Sequence, residues 1–107
     1  MCFTASFILS VGPPVIEPGT TTFAVNKSNS VTFSCSAEEF PSISNVTWRK
    51  EVDGVMTIIE SVQMSFVFTI SRVNVRDTGR YICHVTNVLG STKRIFQLDL
   101  AEGKNEL

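Results

Sequence analysis

The sequence predicts an all-β fold, an antiparallel sandwich or barrel of short strands, and three observations carry that expectation. Apolar and polar residues alternate at period two: Val31, Phe33 and Cys35 alternate with Thr32, Ser34 and Ser36, and Val46 and Trp48 with Thr47 and Arg49. That spacing puts one strand face in a core and the other in solvent. Turn signals punctuate these runs at even intervals, as antiparallel all-β domains require. The composition also leans to strand, with eight Phe, long runs of Val, Ile, Thr and Ser, and no helical pattern.

Each element follows in order. After Gly12-Pro13-Pro14, the segment Val15-Ile16-Glu17-Pro18 is expected to be a short edge strand, because proline is tolerated only at edges or bulges. Thr21 to Val25 continues it past Pro18-Gly19. The alternating run Val31 to Ser36 is the next strand, and a polar loop with Pro41 leads to the strand around Val46 and Trp48. Asp53-Gly54 signals a hairpin turn into the β-branched run Val55 to Ile59. Phe66, Phe68 and Ile70 form another strand, followed by Val73 and the stretch RDTGRYICHV, residues 76–85. There Tyr81, Cys83 and Val85 share one face, Arg80, Ile82 and His84 the other, and Asp77 and Gly79 form the corner that enters the strand. Asn87-Val88-Leu89-Gly90 turns the chain into a last strand through Phe96, Leu98 and Leu100.

A chain of 107 residues is long enough for one ordinary domain. Nine basic against ten acidic residues leave a net charge of −1, which supports neither a nucleic-acid partner nor a polybasic membrane anchor. No apolar stretch approaches the roughly 20 residues that span a bilayer, so no direct membrane contact is expected from this segment. The start MCFTASFILSV is apolar like a leader, but it lacks a basic beginning, and Gly12-Pro13-Pro14 is a poor cleavage site.

No enzyme, cofactor or metal is expected. His84 is the only histidine and stands on an outward face, with no second ligand at metal spacing and no nucleophile elbow. The six glycines are scattered singly through turns, unlike a phosphate-binding loop. With three cysteines, at most one internal pair can form.

The order Cys35…Trp48…Cys83, with Tyr81 two residues before the second cysteine, is the mark of one family. VTFSCSA, VTWRK, FVFTISRVNVRDTGRYICHVTN and STKRIFQLDL resemble strands B, C, E–F and G of an immunoglobulin-superfamily domain, over roughly residues 13 to 101. With only 47 residues between the cysteines and an N-x-x-G turn at Asn87 to Gly90, the chain is similar to the I-set type; a plain constant-like sandwich is the second choice. The resemblance implies a two-sheet sandwich stapled by a Cys35–Cys83 disulfide, with Trp48 packed against it. It also implies a tyrosine corner, in which the Tyr81 hydroxyl bonds to backbone near Asp77. Asp77 would cap that turn and pair with Arg72 or Arg76, and Gly79 would supply a conformation that a side chain hinders.

Candidate sites lie on the surface. Asn26-Lys27-Ser28 and Asn45-Val46-Thr47 are N-glycosylation triplets. Val88 and Leu89 at the hairpin tip, and Met56 and Ile58 on the fourth strand, are apolar side chains that the core cannot easily use, hence candidate partner contacts. Arg49, Lys50, Lys93 and Arg94 are a candidate basic patch.

The expected function is a non-catalytic protein-protein interaction module from the extracellular region of a membrane-anchored or secreted multidomain protein. A receptor, including one of tyrosine kinase type, or an adhesion molecule would fit. The alternative is a structural I-set repeat of a giant intracellular muscle or scaffold protein, with reduced cysteines. The expected partner is another protein, either a ligand, an adhesion partner or a neighbouring immunoglobulin domain. Residues 13–101 form the domain, 102–107 a polar tail, and 1–12 an extension. Phe7, Leu9 and Val11 precede Phe96, Leu98 and Leu100 by the same 89 residues, so the extension resembles the last strand of a preceding repeat, with Gly12-Pro13-Pro14 as linker.

Overall fold

From Val31 onward each alternating run contains a strand, with Cys35, Ser36, Ile59 and Phe66 falling just outside the strand ends. The computed structural model describes residues 12–38, 41–59 and 64–101; the extension with Cys2, Phe7, Leu9 and Val11 and the polar tail lie outside the described residues. Among the described residues seven strands are formed: β1 (Thr22–Val25), β2 (Val31–Ser34), β3 (Asn45–Val52), β4 (Val55–Ile58), β5 (Val67–Ile70), β6 (Gly79–Asn87) and β7 (Gly90–Leu100). A 3-10 turn, Val75–Asp77, precedes β6.

The strands pair into a five-stranded sheet of order β1-β7-β6-β3-β4 and a two-stranded sheet of β2 and β5. All pairings are antiparallel except that of β1, which runs parallel to β7 with Val25 opposite Leu100. The two hairpins have two-residue loops. Asp53 and Gly54 take φ of 53° and 80°, the left-handed pair that matches strand twist in such a turn. At the other, Asn87 lies opposite Gly90, and the Asn87 side chain accepts from the Leu89 N–H at 2.7 Å.

The N-terminal segment differs from expectation. Val15–Pro18 is not a strand; only Ile16 bridges to Ala37, beside β2. Nor does Thr22–Val25 continue along that sheet, because it crosses to the edge of the other one, beside β7. Proline at 18 removes a ladder donor and Gly19 lets the chain turn, so the strand breaks there and each half joins the edge within reach. Upstream, Gly12-Pro13-Pro14 is held against the β6–β7 hairpin. Asn87 Nδ2 donates to the Gly12 carbonyl at 3.0 Å and Thr92 Oγ1 to that of Pro14 at 2.6 Å. A side chain at Gly90 would press on Pro13, whose Cγ lies 3.2 Å from the Cβ position.

The core lies between the sheets and is aromatic at its centre. Phe33 of β2, Trp48 of β3 and Phe96 of β7 are fully buried, with ring centroids of Phe33 and Phe96 only 5.0 Å apart. Cys35 and Cys83 are bonded, joining the end of β2 to β6 and so one sheet to the other. Trp48 lies opposite Cys83 in the β3–β6 register, and its indole N–H donates to the Ser65 carbonyl at 2.9 Å.

The corner before β6 is built from hydrogen bonds rather than ion pairs. The Tyr81 hydroxyl donates to the Asp77 carbonyl. Burial, and then the charge of Asp77, push the Tyr81 phenol up to about 12. The Asp77 carboxylate accepts from the Asn74 N–H at 2.9 Å while the Asn74 side chain accepts from Arg76 N–H, a reciprocal cap of the 3-10 turn. Among the described residues Asp77 makes no ion pair with Arg72 or Arg76; its oxygens are directed at the turn backbone instead. Gly79 follows with φ of 136°, which a side chain would rarely adopt.

Candidate protein-binding face

Because directly opposed residues share a face, the register of the five-stranded sheet sorts its outer side into rows. Val46, Trp48, Tyr81, Cys83, Val85, Phe96 and Leu98 belong to the core, so their neighbours at odd spacing face out. At the end nearest the β6–β7 hairpin, one row is Asn45, Thr86 and Ser91. The next is Thr47, His84 and Lys93, followed by Ile58, Arg49, Ile82 and Ile95, and then by Met56, Glu51, Arg80 and Gln97.

Three of the four residues in the third row are isoleucine, and apart from Met56 the other rows are polar. Ile58 is 60% exposed and Ile95 40%, with Met56 beside them at 50%. Ile82 is only 4% exposed yet lies outside the core cluster, because Arg49 and Ile95 flank it across the sheet. Ile82 and Ile95 were missed as site residues. The available signal was an isoleucine between Arg80 and His84 on an outward face.

One cation, Arg49, stands within this row and another, Lys93, in the row beside it. An Arg49 guanidinium nitrogen lies 3.1 Å from His84 Nδ1. A guanidinium can only donate, so Nδ1 accepts and the neutral ring carries its proton on Nε2. Lys93 stands opposite His84. Desolvation, then the charges of Arg49 and Lys93, hold the His84 imidazolium below the usual histidine range. Arg80 is offset by Glu51 at 3.7 Å, a solvent-screened pair of small energetic weight.

The expected basic patch is therefore split. Arg49 and Lys93 share the outer face, whereas their chain neighbours point the other way, as period two demands. Lys50 reaches the Arg76 carbonyl at 2.8 Å and covers the Tyr81 ring, and Arg94 extends to the Ser34 carbonyl at the sandwich edge. The neutral His84 ring lies between the two patch cations that remain on that face. The apolar candidates are split as well. Val88, 81% exposed, and Leu89 sit on the hairpin tip at one end of the domain, while Met56 and Ile58 lie on β4 beside Glu51 and Arg49. Both glycosylation candidates are exposed, Asn45 at the start of β3 and Asn26 in a turn beyond β1.

The lowered basicity of His84 gives a pH prediction. Its folded-state value lies below the unfolded one near 6.5, so the unfolded chain takes up the proton first as pH falls. The contribution of His84 to stability is therefore complete above about pH 6.5 and lost below it. In thermal melts from pH 7.5 to 5.5, His84→Gln, which keeps an acceptor for Arg49, should lose less stability than the parent. Equal slopes would show that His84 is not held between two cations.

The whole arrangement, a disulfide-stapled two-sheet sandwich with a tyrosine corner, defines an immunoglobulin-type domain. The chain belongs to the family described as immunoglobulin domain, whose family model matches residues 13–87. It is 34% identical over 102 residues to hemicentin-1 of Mus musculus, covering 91% of this chain and 2% of that protein. It is 31% identical to lachesin of Schistocerca americana over 83 residues, or 77% of this chain and 24% of that one. Among solved structures it superposes on a Dscam structure with a TM-score of 0.72 at 22% identity, over 86% of this chain and 25% of that chain. A DIP-gamma structure of two immunoglobulin domains gives 0.68 at 24% identity, over 84% and 49%. The chain thus spans a small part of the relatives it matches. The domain is not an enzyme; it is homologous to domains of adhesion proteins.

Proposed function

We propose that this chain is an extracellular binding module of a larger adhesion protein, and that it holds its partner on the outer face of the five-stranded sheet. The observation that carries the proposal is the row Ile58–Arg49–Ile82–Ile95, in which the exposed Ile58 and Ile95 flank Arg49 and the buried Ile82, with His84 and Lys93 in the next row. Its complement is a protein surface with an apolar centre and a carboxylate rim, since charge pairing at the rim selects the partner while apolar burial holds it. The Cys35–Cys83 bond supports an oxidising compartment over the interior of muscle, where such cysteines stay reduced. The relatives include a protein named for vascular cell adhesion, which favours adhesion over a receptor tyrosine kinase. No helix among the described residues is long and apolar enough to cross a membrane.

The test is a binding screen of the multimerised chain against arrayed extracellular proteins, followed by variants. Arg49→Glu with Lys93→Glu should weaken the partner found by on the order of tenfold or more, largely through slower association and with weaker salt dependence. Ile58→Ser should speed dissociation. If those changes are silent and Val88→Ser with Leu89→Ser abolishes binding, the hairpin tip is the binding site and the outer face is not.

A further inference from the structure

The two glycosylation triplets are equivalent in sequence but not in place. Asn45 is exposed on β3 and has the same facing as Arg49, four residues along the same strand, which is about 13 Å at strand rise. It heads the row Asn45, Thr86, Ser91, two rows from the apolar centre. Thr47, which completes the triplet, stands on the same face beside His84. Asn26 lies in a turn closed by the Asn29 N–H to Asn26 carbonyl bond, one residue beyond Val25, which pairs with Leu100 at the opposite end of β7 from Ser91. Its level is separated from that of Asn45 by most of the length of β7.

From this placement we propose that Asn45 carries an N-linked glycan that shields the outer face and sets how a partner can approach it. The inference rests on that face being the binding surface. In the transfer, Asn45 Nδ2 forms a bond to the anomeric carbon of an oligosaccharide held on a lipid pyrophosphate. The carbon–oxygen bond to the pyrophosphate breaks, the lipid pyrophosphate leaves with the bonding electrons, and an amide proton passes to base. A branched glycan rooted at Asn45 reaches over the rows of His84 and Arg49, being bulky, mobile and hydrated. It closes the hairpin end of the face and leaves access from the β4 side. A glycan on Asn26 leaves the face open.

The experiment uses the full chain secreted from glycosylating cells and the same chain made in bacteria. The probe is a nanobody selected on the bacterial chain whose binding is lost in Arg49→Glu, so its epitope is the outer face whatever the natural partner is. Peptide mapping after enzymatic deglycosylation should find Asn45 converted to aspartate. The nanobody should bind the secreted chain on the order of tenfold more weakly than the bacterial one, with Asn45→Gln restoring binding and Asn26→Gln leaving it weak. An unmodified Asn45 overturns the proposal, and so does an occupied Asn45 with unchanged nanobody binding. Neither result bears on the outer face as a binding surface, which is judged by the Arg49 and Lys93 variants on the natural partner.

Discussion

Truncating Phe33 to alanine should destabilise the domain by about 4 kcal/mol, the range for removing a fully buried phenylalanine. The side chain is 0% exposed and is the common neighbour of five rings: Phe23, Trp48, Phe68, Tyr81 and Phe96. The centroids of Phe23 and Tyr81 both lie at 5.1 Å and that of Phe68 at 6.3 Å, so the rings surround the site from both sheets. Neighbours that are themselves large and packed against one another cannot close a cavity without disturbing each other, which places the cost high in its range. Total stability of a domain is about 5–15 kcal/mol, so the variant should unfold at much lower urea. Phe33→Leu, which retains most of the volume, should cost less than half as much. A change under about 1 kcal/mol for Phe33→Ala in equilibrium urea unfolding would mean that this ring is not central to the core.

Removing the disulfide, as Cys35→Ala with Cys83→Ala, should cost a similar amount by a different route. The bond closes a loop with a sequence separation of 48, for which the chain-entropy account assigns about 4 kcal/mol of constraint on the unfolded chain. The folded pairing of β3 with β6 and of β6 with β7 does not depend on the bond, so native strand content should persist in the double variant under mild conditions. Denaturant unfolding of the double variant, and of the parent with and without reductant, measures the difference. If the reduced parent and the double variant both match the oxidised parent, the staple contributes nothing and packing alone holds the sheets. The two predictions also separate: Phe33→Ala acts on the folded core, the cysteine variant mainly on the unfolded chain.

The strands from Val31 onward were legible in the sequence, and so was much of the surface. Trp48 and Cys83 inward, His84 outward and the Asp53-Gly54 turn all follow from local rules. The function class was legible through one combination, Cys35, Trp48, Tyr81 and Cys83, because a sheet-to-sheet bond with an indole beside it has few other settings. The N-terminal segment was not legible. A stretch such as Val15 to Val25 carries the alternation of an edge strand, but nothing in it says which of two sheets its halves will join. The proposed binding face was not legible either, since Met56 and Ile58 were visible while Ile82 and Ile95 became candidates only beside them.

What this sequence determined by itself is local: where strands begin and turn, and which side chains alternate inward, because facing has a period of two residues and tight turns demand particular backbone angles. What only the tertiary structure decided is register and sheet membership. Ile16 met Ala37 while Phe23 met Leu98, and Ile58, Arg49, Ile82 and Ile95 came from four strands into one row. Those pairings join residues far apart in the chain, and each strand's own alternation is satisfied by many partners. The choice among them is made by the packing of the whole core, in which a shift of one residue would turn every buried side chain out to water.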